Sequence, residues 1–176
     1  MTLLIVLVSL LVGVGSYQLH FILTRRKLAS LTWEDMLAKI EPIELEGLQI
    51  VAECYLQPGK DQLRLEPNQM WDMVGGIEGI RRLKANAQVM LELAIFAESW
   101  NEEQGPIISE MIRRDAIRIN KAVVRIQWSL LFRIPFIRAP FHLQEAASSY
   151  YLIRRRLLGL YHNSHIALVP RLEAAL

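Results

Sequence analysis

The first 27 residues differ from the rest of the chain in their hydrophobic pattern. Residues 3–23 read LLIVLVSLLVGVGSYQLHFIL and contain no Asp, Glu, Lys or Arg. A helix needs ~20 mainly apolar residues to cross a bilayer, and this run is long enough. Arg25, Arg26 and Lys27 follow it directly. Because Lys and Arg stay on the cytoplasmic side, the pattern predicts an uncleaved anchor over residues 1–27. Its N-terminus is outside, these three cations form its membrane stop, and residues 28–176 form a cytoplasmic domain.

A cleaved secretory signal is the alternative interpretation of this segment. Gly13-x-Gly15 resembles a small-residue cleavage site, but a signal also has a basic region before its apolar core. Met1 and Thr2 carry no charged side chain, and the positive cluster comes after the core. We therefore favour the anchor.

Three small residues of the predicted anchor recur at helical spacing. Ser9, Gly13 and Ser16 fall on one face, where small side chains allow two membrane helices to approach closely. This face is our candidate for homo-oligomer formation. The ordinary composition of a membrane helix explains the same residues without any pairing.

Beyond Lys27 the pattern of apolar positions is helical throughout, with Pro and Gly at the breaks. It predicts helices over residues 43–56, 67–73, 77–100, 107–132 and 141–162, and short helices near Met36 and Leu172. There is no alternation typical of strands. The sequence therefore predicts an all-α fold: a single N-terminal transmembrane helix plus an irregular bundle of five to seven helices. The stretch AQVMLELAIFA is apolar on nearly all sides, which predicts that helix 77–100 is central and buried.

The net charge of +2 for the whole chain, to which residues 1–27 contribute +3, hides a division between the two halves of the body. Residues 28–112 carry 6 basic and 15 acidic side chains, whereas residues 113–176 carry 11 basic and 3 acidic ones. Such asymmetry indicates either two halves that attract each other or a basic face for an anionic partner. Cys54 is the only cysteine, which excludes an intrachain disulfide and a multi-cysteine metal site.

The sequence contains no pattern that identifies a reaction. Gly75-Gly76-x-x-Gly79 departs from the phosphate-binding glycine motifs and follows no predicted strand, so these glycines are better explained as a helix stop and hinge. His142 and Glu145 form a single His-x-x-Glu, whereas di-iron bundles use Glu-x-x-His twice. We therefore predict no metal site, no cofactor and no catalytic residue.

The strongest functional feature is helix 107–132. Its basic stripe, defined as Arg114, Arg118, Lys121 and Arg125, follows the helical repeat and forms one line at ~100° per residue. Exposed apolar residues border this line, among them Trp128. Cationic and aromatic residues continue in the next segment, RIPFIRAPF, as Arg133, Phe136 and Arg138. This composition is typical of a membrane interface.

These features predict a membrane-anchored cytoplasmic interaction protein, either a scaffold or an accessory subunit. Its basic–apolar surface binds anionic lipid or an acidic protein partner, unless the stripe packs on the acidic half of its own domain. Nucleic acid is a poorer fit because no helix-turn-helix pattern accompanies the stripe. A membrane-tethered all-α enzyme with an unrecognised active site is the alternative. A deep pocket with converging polar groups would favour that enzyme, and a shallow patch would favour the binding protein.

Overall fold

The computed structural model describes residues 32–56, 65–132 and 139–176. These residues form seven α-helices and two short 3-10 turns without a strand, so the all-α prediction is confirmed. Met36–Leu176 forms one compact unit. Within the described ranges, no helix combines the length and the apolar character that crossing a membrane requires. The predicted anchor, its small-residue face and its basic stop at residues 25–27 lie outside the described residues and stay predictions.

The observed helices follow the predicted ones to within a few residues at each end, because Pro and Gly mark the breaks. Pro67 begins the third helix, where Glu66 and Gln69 cap each other's backbone. Gly75 and Gly76 adopt positive φ angles of 80° and 62° between the third and fourth helices. The elements are α1 (Trp33–Leu37), α2 (Leu45–Leu56), α3 (Pro67–Met73), α4 (Gly76–Ala97), η1 (Glu98–Trp100), α5 (Gly105–Leu131), α6 (Ala139–Ser164), η2 (Ile166–Leu168) and α7 (Val169–Ala175).

Among the described elements the helix with the widest set of neighbours is α6, whereas the apolar pattern predicted that α4 is the central helix. Helix α6 packs against α2, α3, α4, α5 and α7. Small residues at positions 146–149 are buried along it, which lets neighbouring helices approach closely, and Tyr150 and Tyr161 are fully buried further along. In contrast, α4 buries its apolar side and leaves Arg81, Lys84 and Gln88 near its surface. The prediction of a central α4 is therefore only partly right.

A buried asparagine in α4 holds the loop between α1 and α2. The Asn86 side chain is fully buried. Its Oδ1 accepts a hydrogen bond from the Glu41 backbone N–H at 2.9 Å, and its Nδ2 donates to the Glu41 carbonyl at 2.7 Å. The same Nδ2 lies 3.4 Å from the Tyr150 hydroxyl of α6. Burial raises the pKa of Tyr150 to about 12. One side chain thus joins a loop and two long helices.

The end of α3 approaches its neighbours so closely that only glycine fits. A Cβ added to Gly79, in the first turn of α4, would lie 1.8 Å from the Val74 carbonyl oxygen. A Cβ added to Gly47 of α2 would lie 2.6 Å from the Met73 carbonyl oxygen. Both contacts involve backbone, which cannot rotate away. The Gly75-Gly76-x-x-Gly79 segment therefore serves as a close-packed turn, in agreement with its interpretation as a helix stop.

Candidate functional site

The basic stripe lies on the exposed side of α5. The side chains of Arg114, Arg118 and Arg125 are 73%, 60% and 57% exposed, and Lys121 is exposed as well. The opposite side of α5 carries buried core residues, as the helical repeat predicts: Ile112, Ile119, Val123 and Ile126. The stripe is therefore largely an open surface, which approaches another helix where Arg125 lies near Glu145 of α6.

Three of the four cations of the stripe have carboxylate partners on α5 or α6. Arg114 lies 3.3 Å from Glu110, and Arg125 lies 3.9 Å from Glu145 of α6. Arg118 lies 3.2 Å from Asp115. Lys121 makes no ion pair with any residue that the structure describes. Since exposed pairs contribute only ~0–1 kcal/mol, Arg114 can exchange the exposed Glu110 for an external anion at little cost, whereas the Asp115 partner of Arg118 is buried.

Asp115 links the stripe to the interior of the bundle. Its carboxylate is almost fully buried and accepts hydrogen bonds from Arg118 on the surface and from Arg156 of α6. Burial raises the pKa of the Asp115 carboxyl, and the nearby guanidinium groups of Arg156 and Arg118 oppose that shift. Removing Arg118 would therefore disturb a buried ionic cluster as well as the surface.

An exposed apolar ridge runs beside the stripe towards the end of α5. Trp128, Leu131 and Phe132 are 53%, 72% and 59% exposed. The rings of Trp128 and Phe132 stack with their centroids 5.1 Å apart and their planes 6° from parallel. Ile117 and Val124 extend the ridge along the same side of the helix. A cationic line and an apolar line therefore share one open side of α5.

The remaining predicted members of this surface, Arg133, Phe136 and Arg138, lie outside the described residues. Near the start of α6, His142 Nδ1 lies 3.6 Å from Glu145 Oε2, the carboxylate that Arg125 also approaches. In the part of the chain that the structure describes, no group of three His, Cys, Asp or Glu side chains is placed to hold a metal ion.

A second feature, which the sequence analysis missed, is a groove of about 510 Å³ between α4 and α5. Its polar lining consists of three cations, Arg81, Lys84 and Arg113, and three amides, Gln88, Asn120 and Gln127. The spacing of Arg81, Lys84 and Gln88 places them on one face of α4, and this was the signal available in the sequence. No carboxylate belongs to the lining among the described residues.

The chemistry of this α4–α5 groove suits binding. Its described lining has neither a carboxylate nor a histidine to transfer protons, and neither a hydroxyl nor a thiol to act as a nucleophile. The cations attract anions, and the amides can both donate and accept hydrogen bonds. The groove adjoins the apolar ridge at Ile117, which lines it.

No protein-family model, curated protein or solved structure matches this chain. Its function is therefore inferred from its own surfaces, namely the stripe, the ridge and the groove.

Proposed function

We propose that the chain is a single-pass membrane protein whose α5 surface binds the anionic face of the membrane that anchors it. Residues 1–27 form the anchor with the N-terminus outside, and the helical domain is cytoplasmic. The observation that carries the proposal is the basic stripe and the apolar ridge on one open side of α5. Cations bordered by aromatic and aliphatic groups suit the headgroup region of a bilayer.

The expected attraction is modest and suits a domain that is already tethered. A basic residue near an anionic leaflet contributes ~1 kcal/mol, so the stripe contributes at most ~4 kcal/mol before its existing ion pairs are considered. Full burial of a large apolar side chain contributes ~1.5–3 kcal/mol. Because Trp128, Leu131 and Phe132 are about half exposed or more, each would gain roughly 1–2 kcal/mol at the interface. The two contributions are comparable, so both should be measurable.

The anchor is tested on the full-length chain in cells. We expect the protein to resist carbonate extraction from membranes and its C-terminus to be protected from external protease in intact cells. Both results follow from an uncleaved helix with the cations of residues 25–27 on the cytoplasmic side. A soluble mature protein whose N-terminus lies near Ser16 would instead establish the cleaved signal.

The α5 surface is tested with a probe on the ridge. Leu131→Cys, made together with Cys54→Ser, accepts a polarity-sensitive dye and leaves the stacked Trp128 and Phe132 rings in place. The full-length chain is reconstituted in phosphatidylcholine vesicles with or without phosphatidylserine. We expect the dye emission to shift to the blue only with phosphatidylserine. The shift should diminish with salt, because exposed charges are screened over ~8 Å at physiological ionic strength.

The charge dependence is tested with Arg114→Gln combined with Lys121→Gln. This pair leaves Arg118 and Arg125 in place, so Asp115 and Glu145 keep their partners. At ~1 kcal/mol per cation, the ratio of bound to unbound domain should fall by roughly 10- to 30-fold. Lys39→Gln combined with Arg155→Gln is the matched control, because it removes two exposed cations elsewhere. The proposed surface would be refuted if both double variants reduced membrane binding equally. It would also be refuted if the dye emission shifted equally with and without phosphatidylserine.

A further inference from the structure

The α4–α5 groove exists because small side chains face each other across two long helices. Ala85 of α4 and Ala116 of α5 both line it. After the short connection over residues 98–104, α5 runs back along α4. Larger residues at these two positions would fill the space between the helices. The groove is thus set by the sequence at two helix positions.

The charge of the lining is entirely positive. Arg81 and Arg113 each lie 3.8 Å from an exposed glutamate of their own helix, Glu78 and Glu110, and such long exposed contacts compete weakly with a ligand. Lys84 makes no ion pair within the described ranges. A ligand that complements this lining carries acidic groups.

The lining cations lie at two levels along the groove, and Gln127 lines it beyond the level of Arg81 and Lys84. Arg113 is the ninth residue of α5, which in the antiparallel pair places it near the level of Leu91, whereas Lys84 and Arg81 lie seven and ten residues before Leu91 on α4. Leu91 lines the groove at the Arg113 end. At 1.5 Å per residue, the distance along α4 from Leu91 to Lys84 or Arg81 is roughly 10–15 Å. An extended peptide covers this distance in about three to five residues.

We propose that this groove binds an extended acidic segment of a partner protein, with one acidic side chain near Arg113 and another near Lys84 and Arg81. The amide side chains of Gln88, Asn120 and Gln127 are suited to pair with the backbone N–H and C=O groups of such a segment. The apolar lining from Ala85, Ala116 and Ile117 receives its small or apolar middle residues. This proposal concerns a different ligand from the lipid surface of α5 and does not depend on it.

The probe is a panel of capped, dye-labelled peptides in which two glutamates are separated by one to five alanines or serines. Binding to the full-length chain in an uncharged detergent is followed by fluorescence anisotropy. We expect an optimum at two to four intervening residues and no binding of the matching glutamine peptides. Lys84→Gln and Arg113→Gln should each weaken binding about two- to fivefold, as expected for exposed ion pairs.

Ala116→Trp should abolish binding because its side chain fills the groove and leaves all three cations in place. Ala174→Trp, at an exposed position of α7, is the control for adding a tryptophan. Thermal unfolding shows whether Ala116→Trp still folds, and Ala85→Leu is the milder substitution if it does not. The stripe variant, Arg114→Gln with Lys121→Gln, should keep its peptide binding, which separates this site from the lipid surface.

Four results would overturn the proposal. The first is peptide binding that survives Ala116→Trp and Ala85→Leu, or that depends only on the number of glutamates. The second is binding of inorganic phosphate or citrate without any peptide binding, which would make the groove a site for small anions. The third is no binding to any member of the panel. A loss of vesicle binding in the groove variants without an effect on peptides would assign the groove to the membrane instead.

Discussion

Replacing Gly79 and Gly159 by alanine should change the free energy of unfolding in opposite directions. Both glycines lie in long helices, Gly79 in the first turn of α4 and Gly159 in α6. A Cβ at Gly159 would meet nothing within 4 Å, whereas a Cβ at Gly79 would lie 1.8 Å from the Val74 carbonyl oxygen. The two substitutions therefore share their chemistry and differ in the available space.

The magnitudes follow from two terms. Alanine is favoured over glycine by ~0.8–1 kcal/mol in a helix interior, chiefly because it restricts the unfolded chain. Gly159→Ala should raise the free energy of unfolding by about this amount. Overpacking typically costs ~1–3 kcal/mol, and a contact with immobile backbone belongs at the upper end of that range. Gly79→Ala should therefore lower the free energy of unfolding by ~2 kcal/mol after the helix preference of alanine is subtracted. The free energies of unfolding of the two variants should then differ by ~3 kcal/mol.

Thermal or urea unfolding of the full-length chain in an uncharged detergent measures this difference. For a chain of this size, ~1 kcal/mol corresponds to roughly 2–4 °C in the melting midpoint. Gly159→Ala should thus melt a few degrees above the parent protein and Gly79→Ala several degrees below it. If Gly79→Ala were neutral or stabilising, α4 could not begin against the end of α3 as described. If Gly159→Ala were destabilising, the open space at that position of α6 would be wrong.

Two further predictions concern the interior. Leu93→Ala should lower the free energy of unfolding by ~2–5 kcal/mol because Leu93 is fully buried in α4. Leu91→Ala should lower it less because Leu91 lines the open groove. Urea unfolding measures both changes, and equal losses would contradict this packing of α4. Tyr150 has a pKa of about 12 in the folded protein and ~10 when unfolded, so the native state holds this proton more tightly and stability falls as the pH rises from 10 to 12. The loss approaches ~2–3 kcal/mol, and Tyr150→Phe should remove it from the measured pH dependence.

The sequence predicted the features of this fold that depend on residues close together in the chain. The helix boundaries could be predicted because Pro67 and Gly75-Gly76 determine the backbone conformation at their own positions. The basic stripe was accessible because Arg114, Arg118 and Lys121 follow the repeat of a single helix. Such patterns require no knowledge of which helices meet.

The features that were missed depend on residues far apart in the chain. The pairing of Asp115 with Arg156, and of Asn86 with Glu41, joins positions 41 and 45 residues apart. The groove depends on two alanines that face each other only after α5 folds back along α4. The apolar middle of α4 predicted burial correctly, but it could not reveal that α6 contacts more of the other helices. Periodicity reports which side of a helix is buried and not which neighbour buries it.

The Asn86 side chain also has a mechanical consequence. The chain before α2 leads towards the predicted anchor, so membrane movement would apply tension to it. Two hydrogen bonds between Asn86 and the Glu41 backbone hold that backbone to the middle of α4, and the contact with Tyr150 extends this attachment to α6. Tension on this segment would therefore reach α4 and α6 near their midpoints before it reached the first turn of α2. This attachment acts together with the buried Met36 side chain and with Arg82, which donates a hydrogen bond to the Pro42 carbonyl.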